Sequence, residues 1–436
     1  MKIKITLIYG SFLALGLILG AYLIPNIILE IGYLIISFVV IRLMYQNKTI
    51  ESFNFLVYLM LLEPIARLNF TSFPYLYLQY FVIFIFLIYQ LNGNLKLNQT
   101  KVWLWFFIIT ILFELFNTSR TIEAKYTRSI LVNSLSLFCF ILMGIQSRFN
   151  EVDLKKLLLN LSFAGFLLTG FVLSIHFQGN IQYTSIESNG ESSNGLGPVQ
   201  LSFYLSFTIL ANYFIYLYFD LFKRSIYIIV IAIQVTVMIL TFSRGGLYFL
   251  AVIFLIVNLD FIIKNGFKLK KVFGLILLIP IGLYIYNFSV SYTDGAVVER
   301  YSEEGTSNRD VLVENGIKMF KDNPLFGIGT GNFNITASYP QYFGEITGAH
   351  NEFVRVLAEH GFLCFIFYIL FWISIFFDVW KNKKRIAYFI IPLSMILAFN
   401  FGSIHNGLKL CLQSFAVFIA IAYSNSSLFK TKDSHH

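Results

Sequence analysis

Three side chains in this 436-residue sequence have the types and spacing to handle a charged, hydrophilic substrate: Arg244, Arg309 and His350. Arg244 lies in Thr241-Phe242-Ser243-Arg244-Gly245-Gly246-Leu247, a very short turn between two apolar runs. An arginine deep in lipid costs roughly 2.5 kcal/mol or more, so this one either snorkels to the interface or faces a polar cavity. Arg309 follows Ser307, a residue that caps helices, and so falls in the first turn of an expected helix, where free backbone N–H groups also favour an anion. Its plainer role is a solvated ion pair with Glu303 or Glu314. Placed on one membrane face, the two arginines make an anion clamp. Guanidinium forks match diphosphate oxygens bidentately and stay charged at any working pH. His350 stands at the head of the next apolar run. Histidine is the side chain best suited to take a proton from a hydroxyl near neutral pH.

The elements that must position these residues are membrane spans. Hydrophobic residues make up 57% of the chain and charged ones 13%, about half the charged share of a soluble domain. Apolar runs near the length that crosses a hydrocarbon core recur at about 5–24, 26–44, 54–69, 73–91, 102–117, 129–145, 157–176, 198–220, 226–242, 246–263, 272–290, 351–379, 386–404 and 408–425. The reading is an all-α, polytopic transmembrane helical bundle of about 12–14 spans. The first run is too long for a signal-peptide core and is read as a retained span. Most of the 32 basic residues, including Lys2, Arg42, Lys96, Lys155, Lys268, Lys384 and Lys430, fall on one side of this alternation. The positive-inside rule makes that side, and both termini, cytoplasmic. The net charge of +9 is therefore a topology signal and not a nucleic-acid footprint.

Two segments then face outward. Residues 178–197, rich in Ser, Asn and Gly, read as a mobile loop. Residues 291–350 are long enough to carry structure: a helix from about 309 with Val313, Ile317 and Phe320 on one face, a stop at Asn323-Pro324, and the glycine turn Gly327-Ile328-Gly329-Thr330-Gly331. The chain divides into spans over 1–290, an outward catalytic loop over 291–350, and C-terminal spans over 351–436. Acidic residues outnumber basic ones in that loop, so an arginine held there is a local device and not part of a general anion funnel. The GxGxG of the turn follows a helix and lacks a βαβ context, which argues against a nucleotide loop.

Other charged positions have structural readings. Glu352, Arg355 and Glu359 recur along one helix face and suggest salt bridges where the helix meets the membrane. Asn351 and Glu352, directly after His350, are also candidates to bind glycan. His360 reads as structural, and His405 is a weaker second candidate for His350's role. Glu63 and Arg67, spaced i, i+4, neutralise each other. Cys139, Cys364 and Cys411 sit in apolar runs and fill core space. No Asp-x-Asp, His-x-x-x-His or paired-cysteine motif occurs, so no metal and no other cofactor is expected, and arginines would carry the charge stabilisation.

Ser243-Arg244-Gly245-Gly246, then Arg309, then Asp322-Asn323-Pro324-Leu325-Phe326-Gly327-Ile328-Gly329-Thr330-Gly331-Asn332-Phe333, and finally His350-Asn351-Glu352 with Glu359-His360-Gly361, resemble the O-antigen ligase and O-antigen (capsular polysaccharide) polymerase family. The resemblance covers about 240–365. It implies a GT-C-like membrane glycosyltransferase of the bacterial cytoplasmic membrane, metal-independent and acting on the outer face. Such an enzyme moves glycan from an undecaprenyl-diphosphate carrier to a glycan or lipid-linked acceptor, with a chain-length regulator and a flippase as partners. On that resemblance Arg244 and Arg309 hold the carrier diphosphate and His350 assists or positions the acceptor. Polymerisation of capsule or O-antigen repeat units is the favoured reading, ligation to lipid A core the alternative, and a polysaccharide flippase the alternative from another class.

Overall fold

The computed structural model describes residues 2–69, 76–93, 101–179, 181–183, 190–219, 224–265, 278–302, 309–382, 389–392, 394–395 and 407–425. Helices account for nearly all regular structure, and no strand occurs among the described residues. In chain order they are α1 (Lys2–Gly20), α2 (Asn26–Tyr45), α3 (Thr49–Asn69), α4 (Tyr77–Leu91), α5 (Val102–Phe116), α6 (Ala124–Gln146), α7 (Glu151–Gln178), α8 (Pro198–Tyr218), α9 (Arg224–Leu240), α10 (Arg244–Asn265), α11 (Leu278–Tyr292), α12 (Ala296–Ser302), α13 (Arg309–Asp322), α14 (Phe333–Ala337), α15 (Glu352–Lys381) and α16 (Gly407–Ser424). Among the described residues seven helices are long and apolar enough to cross a membrane, and five shorter apolar helices accompany them. The protein is an all-α polytopic membrane protein, because backbone groups in lipid must be satisfied within each helix.

The chain forms two units that interleave in sequence. Unit one comprises Met1–Phe38, Phe53–Ser72 and Lys155–Glu304; unit two comprises Val39–Ser52, Phe73–Leu154 and Gly305–His436. The segment 291–350, expected as one outer loop, is thus shared: its first part belongs to unit one and the rest to unit two. The expected span at 386–404 and His405 lie largely outside the described residues.

Inside unit one, polar side chains between helices answer one another. The Tyr9 hydroxyl meets Ser162 Oγ at 2.5 Å, Ser162 Oγ donates to Asn212 Oδ1, Asn212 Nδ2 donates to Gln234 Oε1 at 3.2 Å, and Gln234 Nε2 donates to Thr208 Oγ1 at 2.9 Å. Such interhelical bonds hold helices where burial of apolar surface offers little drive. Arg67 Nη2 lies 2.8 Å from Glu63 Oε1, the self-neutralising pair expected from their spacing. Of the segment expected to be a mobile loop, residues 192–194 are buried: Asn194 Nδ2 donates to Gly20 O and Phe171 O, and His176 Nε2 meets Ser192 O at 2.9 Å. The Asn194 side chain thus closes off the carbonyl of Gly20 at the end of α1, a contact that a Ser/Asn-rich composition does not reveal.

In unit two, α5 runs antiparallel to α15. At one end Trp103 Nε1 donates to Asp378 Oδ2 (3.1 Å) and Lys101 Nζ lies 3.3 Å from the same oxygen. Between the ends Phe107 packs on Phe371 with ring centroids 4.7 Å apart. At the other end Glu114 reaches Arg355.

Candidate active site

The first half of α15 is organised by one guanidinium. Arg355 and its three carboxylate neighbours Glu114, Glu352 and Glu359 are each about 1% exposed or less. Arg355 Nε donates to Glu352 Oε1 at 2.6 Å, Nη1 to Glu359 Oε2 at 2.5 Å, and Nη2 to Glu114 Oε1 at 3.2 Å. His360, wholly buried, closes the cluster: its Nε2 is 3.5 Å from Arg355 Nη1 and its Nδ1 is 3.3 Å from Asn117 Nδ2. The spacing of Glu352, Arg355 and Glu359 foretold ion pairs along one helix face. The tertiary structure makes that face inward and adds a fourth member from α5.

One turn further on the helix breaks. Gly361 has φ +74° and ψ −172°, a backbone that L side chains rarely adopt, so α15 is two helices joined at a kink. The break diverts the Phe362 N–H, which donates to Pro324 O (2.9 Å). The carbonyls released in α15 are taken by the glycine turn: Ile328 N donates to Ala358 O (2.9 Å) and Gly329 N to Glu359 O (3.0 Å). A Cβ on Gly327 would stand 2.2 Å from the Glu359 carbonyl carbon, so only glycine allows this approach. The corner between α5 and α6 seats the other side of the turn. Thr330 Oγ1 donates to Glu114 O (2.6 Å), and Thr127 Oγ1 to Thr330 O (2.9 Å). Asn117 Nδ2 donates to Phe326 O (2.8 Å), and Asn332 Nδ2 to Arg120 O (2.8 Å). Glu359 Oε1 accepts from Phe333 N at 3.1 Å. The Asp322–Phe333 motif and Glu359-His360-Gly361 are therefore two halves of one lock, not a nucleotide loop. Gly361→Ala would strain φ and set a Cβ 2.4 Å from Leu325 O. It is expected to destabilise the protein by on the order of 2 kcal/mol or more, read as a lower unfolding temperature in detergent; an unchanged temperature would show that the kink is not required.

The small core beneath this lock positions the two sequence candidates of unit two. Met319, Phe333, Ala337, Ala349, Val354 and Ala358 form it, with Val313, Ile328, Tyr342 and Phe343 packed against them. The face expected for α13, through Val313, Ile317 and Phe320, needs correction: the buried face is Leu312, Asn315, Gly316 and Met319, while Ile317 is exposed. Close approach decides this, since a Cβ on Gly316 would lie 2.2 Å from Val354 Cγ1. Arg309, three residues before Leu312, opens α13 along that packed face. The Tyr342 hydroxyl donates to Asp322 Oδ2 at 2.7 Å, and burial, reinforced by Asp322, pushes the phenol up to about 12. His350 is half-buried with φ +49°, two residues before α15. A histidine in the left-handed region is uncommon, and strain of this kind gathers at functional sites.

Asn351 and Glu352, candidates for glycan binding, direct their side chains into the protein. Asn351 caps α15, its Oδ1 accepting from Val354 N (3.1 Å), and Glu352 is bound to Arg355. Arg244 stands in unit one, at the first residue of α10 after a turn in which Phe242 has φ +59°. Ser243 Oγ lies 2.9 Å from Ser202 Oγ, which ties that turn to α8. Sequence reasoning missed Glu114 and Asn117. The signal for Glu114 was present, since it is the one charged residue of α5, and an ionisable group within a span is a functional candidate by default. No group of three or more His, Cys, Asp or Glu side chains able to hold a metal occurs among the described residues. Cys139 and Cys364 are buried free thiols.

A search of curated proteins finds no match to the chain. Residues 228–369 match the family model described as O-antigen ligase. That stretch, about a third of the chain, contains Arg244, Arg309, His350 and both halves of the lock, and it supports placing the chain with the O-antigen ligase and polymerase family.

Proposed function

We propose that the protein is a membrane glycosyltransferase that joins undecaprenyl-diphosphate-linked repeat units into capsule or O-antigen polysaccharide on the outer face of the cytoplasmic membrane. The observation that carries this reading is the family match over 228–369, read together with the residues it spans. On the resemblance, arginine side chains serve a diphosphate leaving group, whose departure is the charge-developing step, and preorganised cations stabilise that charge. His350, at the head of α15, accepts the proton of the attacking hydroxyl or orients it. The lock and the Arg355 cluster hold the helix ends that present Arg309 and His350. A nucleotide sugar is not available outside the membrane, so the donor is lipid-linked. The family description favours a second reading, transfer of finished glycan to lipid A core.

Loss of His350 separates these readings. His350→Ala is expected to stop product formation and to leave carrier-linked glycan on the outer leaflet, open to an added glycosidase. General-base assistance contributes about 10²–10⁴-fold, so the block should be nearly complete. Single repeat units on the carrier mean a polymerase; long chains on the carrier mean a ligase. Units held on the cytoplasmic leaflet, out of reach of the glycosidase, would sink the transferase reading and promote a flippase.

A further inference from the structure

We propose that Arg120, together with Phe116, Leu325, Phe326 and Phe362, forms a docking surface in unit two for an anionic phospholipid, whose phosphate bonds the guanidinium. The proposal does not depend on the transferase reading. Phe116 ends α5 and Phe362 follows the kink in α15, and both helices are apolar enough to span a membrane. At this end of the two spans the four apolar side chains are exposed, Phe116 by 67% and Leu325 by 60%. They are contiguous. The Phe116 and Phe326 rings lie 6.4 Å apart, and the Phe362 N–H donates to Pro324 O beside Leu325 (2.9 Å). An apolar patch of this kind marks a membrane or partner surface, and here it continues the apolar faces of two spans.

Arg120 is the charged edge of this patch. It closes the short 3₁₀ turn Asn117–Arg120 that follows α5. Its guanidinium carbon sits 5.7 Å over the Phe326 ring, and Nη1 donates to Gly327 O at 3.2 Å. Its backbone is pinned as well, since Asn332 Nδ2 donates to Arg120 O (2.8 Å). A guanidinium has five N–H donors in a fixed fork. Among the described residues its one hydrogen bond is to Gly327 O, and the side chain is exposed. The fork is therefore held in place with most of its donors unspent, which lowers the cost of ordering it around a ligand. Charge complementarity selects the occupant. Arg120, Lys125 and Arg128 are all exposed along the stretch 120–128, and its acid, Glu123, pairs with Lys125 at 3.3 Å. A positive corner where spans end attracts anionic headgroups, and a phosphate accepts bidentately from an arginine fork. The acyl chains then lie along the four apolar side chains. A zwitterionic lipid brings the same phosphate with an ammonium that this corner repels. One guanidinium matches one phosphate, which favours a phospholipid over a diphosphate-bearing lipid.

Purified full-length protein in dodecyl maltoside, titrated with phosphatidylglycerol or phosphatidylcholine and followed by its unfolding temperature, tests the surface. Phosphatidylglycerol is expected to stabilise the wild type at about tenfold lower concentration than phosphatidylcholine, the ratio that one charge-assisted hydrogen bond supplies. Arg120→Gln is expected to bring the two titration curves together. Arg120→Lys should keep less than half of the difference, since an ammonium holds the charge without the fork. Phe116→Ala combined with Phe326→Ala should weaken both lipids alike. Each variant is compared with itself between two lipids, so a lower starting temperature does not disturb the reading. Should Arg120→Gln fail to fold, Arg120→Lys carries the test, and retention of the whole difference would overturn the proposal. A wild type that does not distinguish the two lipids would overturn it as well, as would an Arg120→Gln that still does. Loss of the difference in Lys125→Gln to the same extent as in Arg120→Gln would show a diffuse positive field in place of a site. Farnesyl diphosphate displacing phosphatidylglycerol at lower concentration than phosphatidylglycerol itself acts would overturn the assignment to a phospholipid.

Discussion

Arg355→Ala is expected to leave little folded protein in the membrane. The substitution removes the guanidinium that Glu114, Glu352 and Glu359 share, all within hydrogen-bond reach of it and essentially unexposed. Breaking a buried ion pair by deleting one partner costs about 3–5 kcal/mol, because the charge left behind is uncompensated. That is a large part of the 5–15 kcal/mol that holds a typical protein together. Here three carboxylates would be stranded. Arg355→Lys should recover part of the loss at most, since one ammonium cannot serve Glu114, Glu352 and Glu359 with the fork geometry seen. Replacing Arg355 by Met together with all three glutamates by Gln should fold better than Arg355→Ala alone, because it removes the buried charge and not just its partner. Detergent-solubilised yield, elution as a single species and unfolding temperature measure all of this. Arg355→Ala with wild-type yield and unfolding temperature would show that the cluster is not what fixes α15 to α5.

Arg244→Ala and Arg309→Ala are expected to fold and insert normally and to abolish glycan transfer. Both side chains are only partly buried, unlike Arg355, so their loss does not strand a sealed charge. Removing one donor aimed at developing charge costs about 10²–10³ in rate. Lysine should rescue poorly at either position, since an ammonium keeps the charge and loses the planar fork. Polymer length and amount, compared at native expression level, provide the readout. Normal polysaccharide from both alanine variants would end the clamp reading.

The contrast between these arginines shows where the sequence stopped being legible. Arg244, Arg309 and His350 stand out in the sequence because each is a polar side chain at a joint between apolar runs. Arg355 stands out less, since charged residues at i, i+3 and i+7 suggest an ordinary helix face, and its third carboxylate neighbour is 241 residues away along the chain. Asn117 and Thr127 carry no sequence signal at all, because a hydrogen bond to a distant carbonyl leaves no periodic mark.

By itself the sequence determined that this is an all-α membrane protein with a stretch similar to the O-antigen ligase family. Lipid accepts only long apolar runs, and the Ser243-Arg244-Gly245-Gly246 and His350-Asn351-Glu352 motifs are written in consecutive residues. It also determined the Glu63–Arg67 pair, which is local to one helix. Only the tertiary structure decided that Glu359-His360-Gly361 and the Gly327–Gly331 turn are one lock, that α13 packs through Gly316 and not through Ile317, and that Glu352 faces inward to Arg355. Those outcomes depend on which backbones can approach within van der Waals contact and which carbonyls a kink releases. Distances between residues far apart in the chain set both, and composition and periodicity do not encode them.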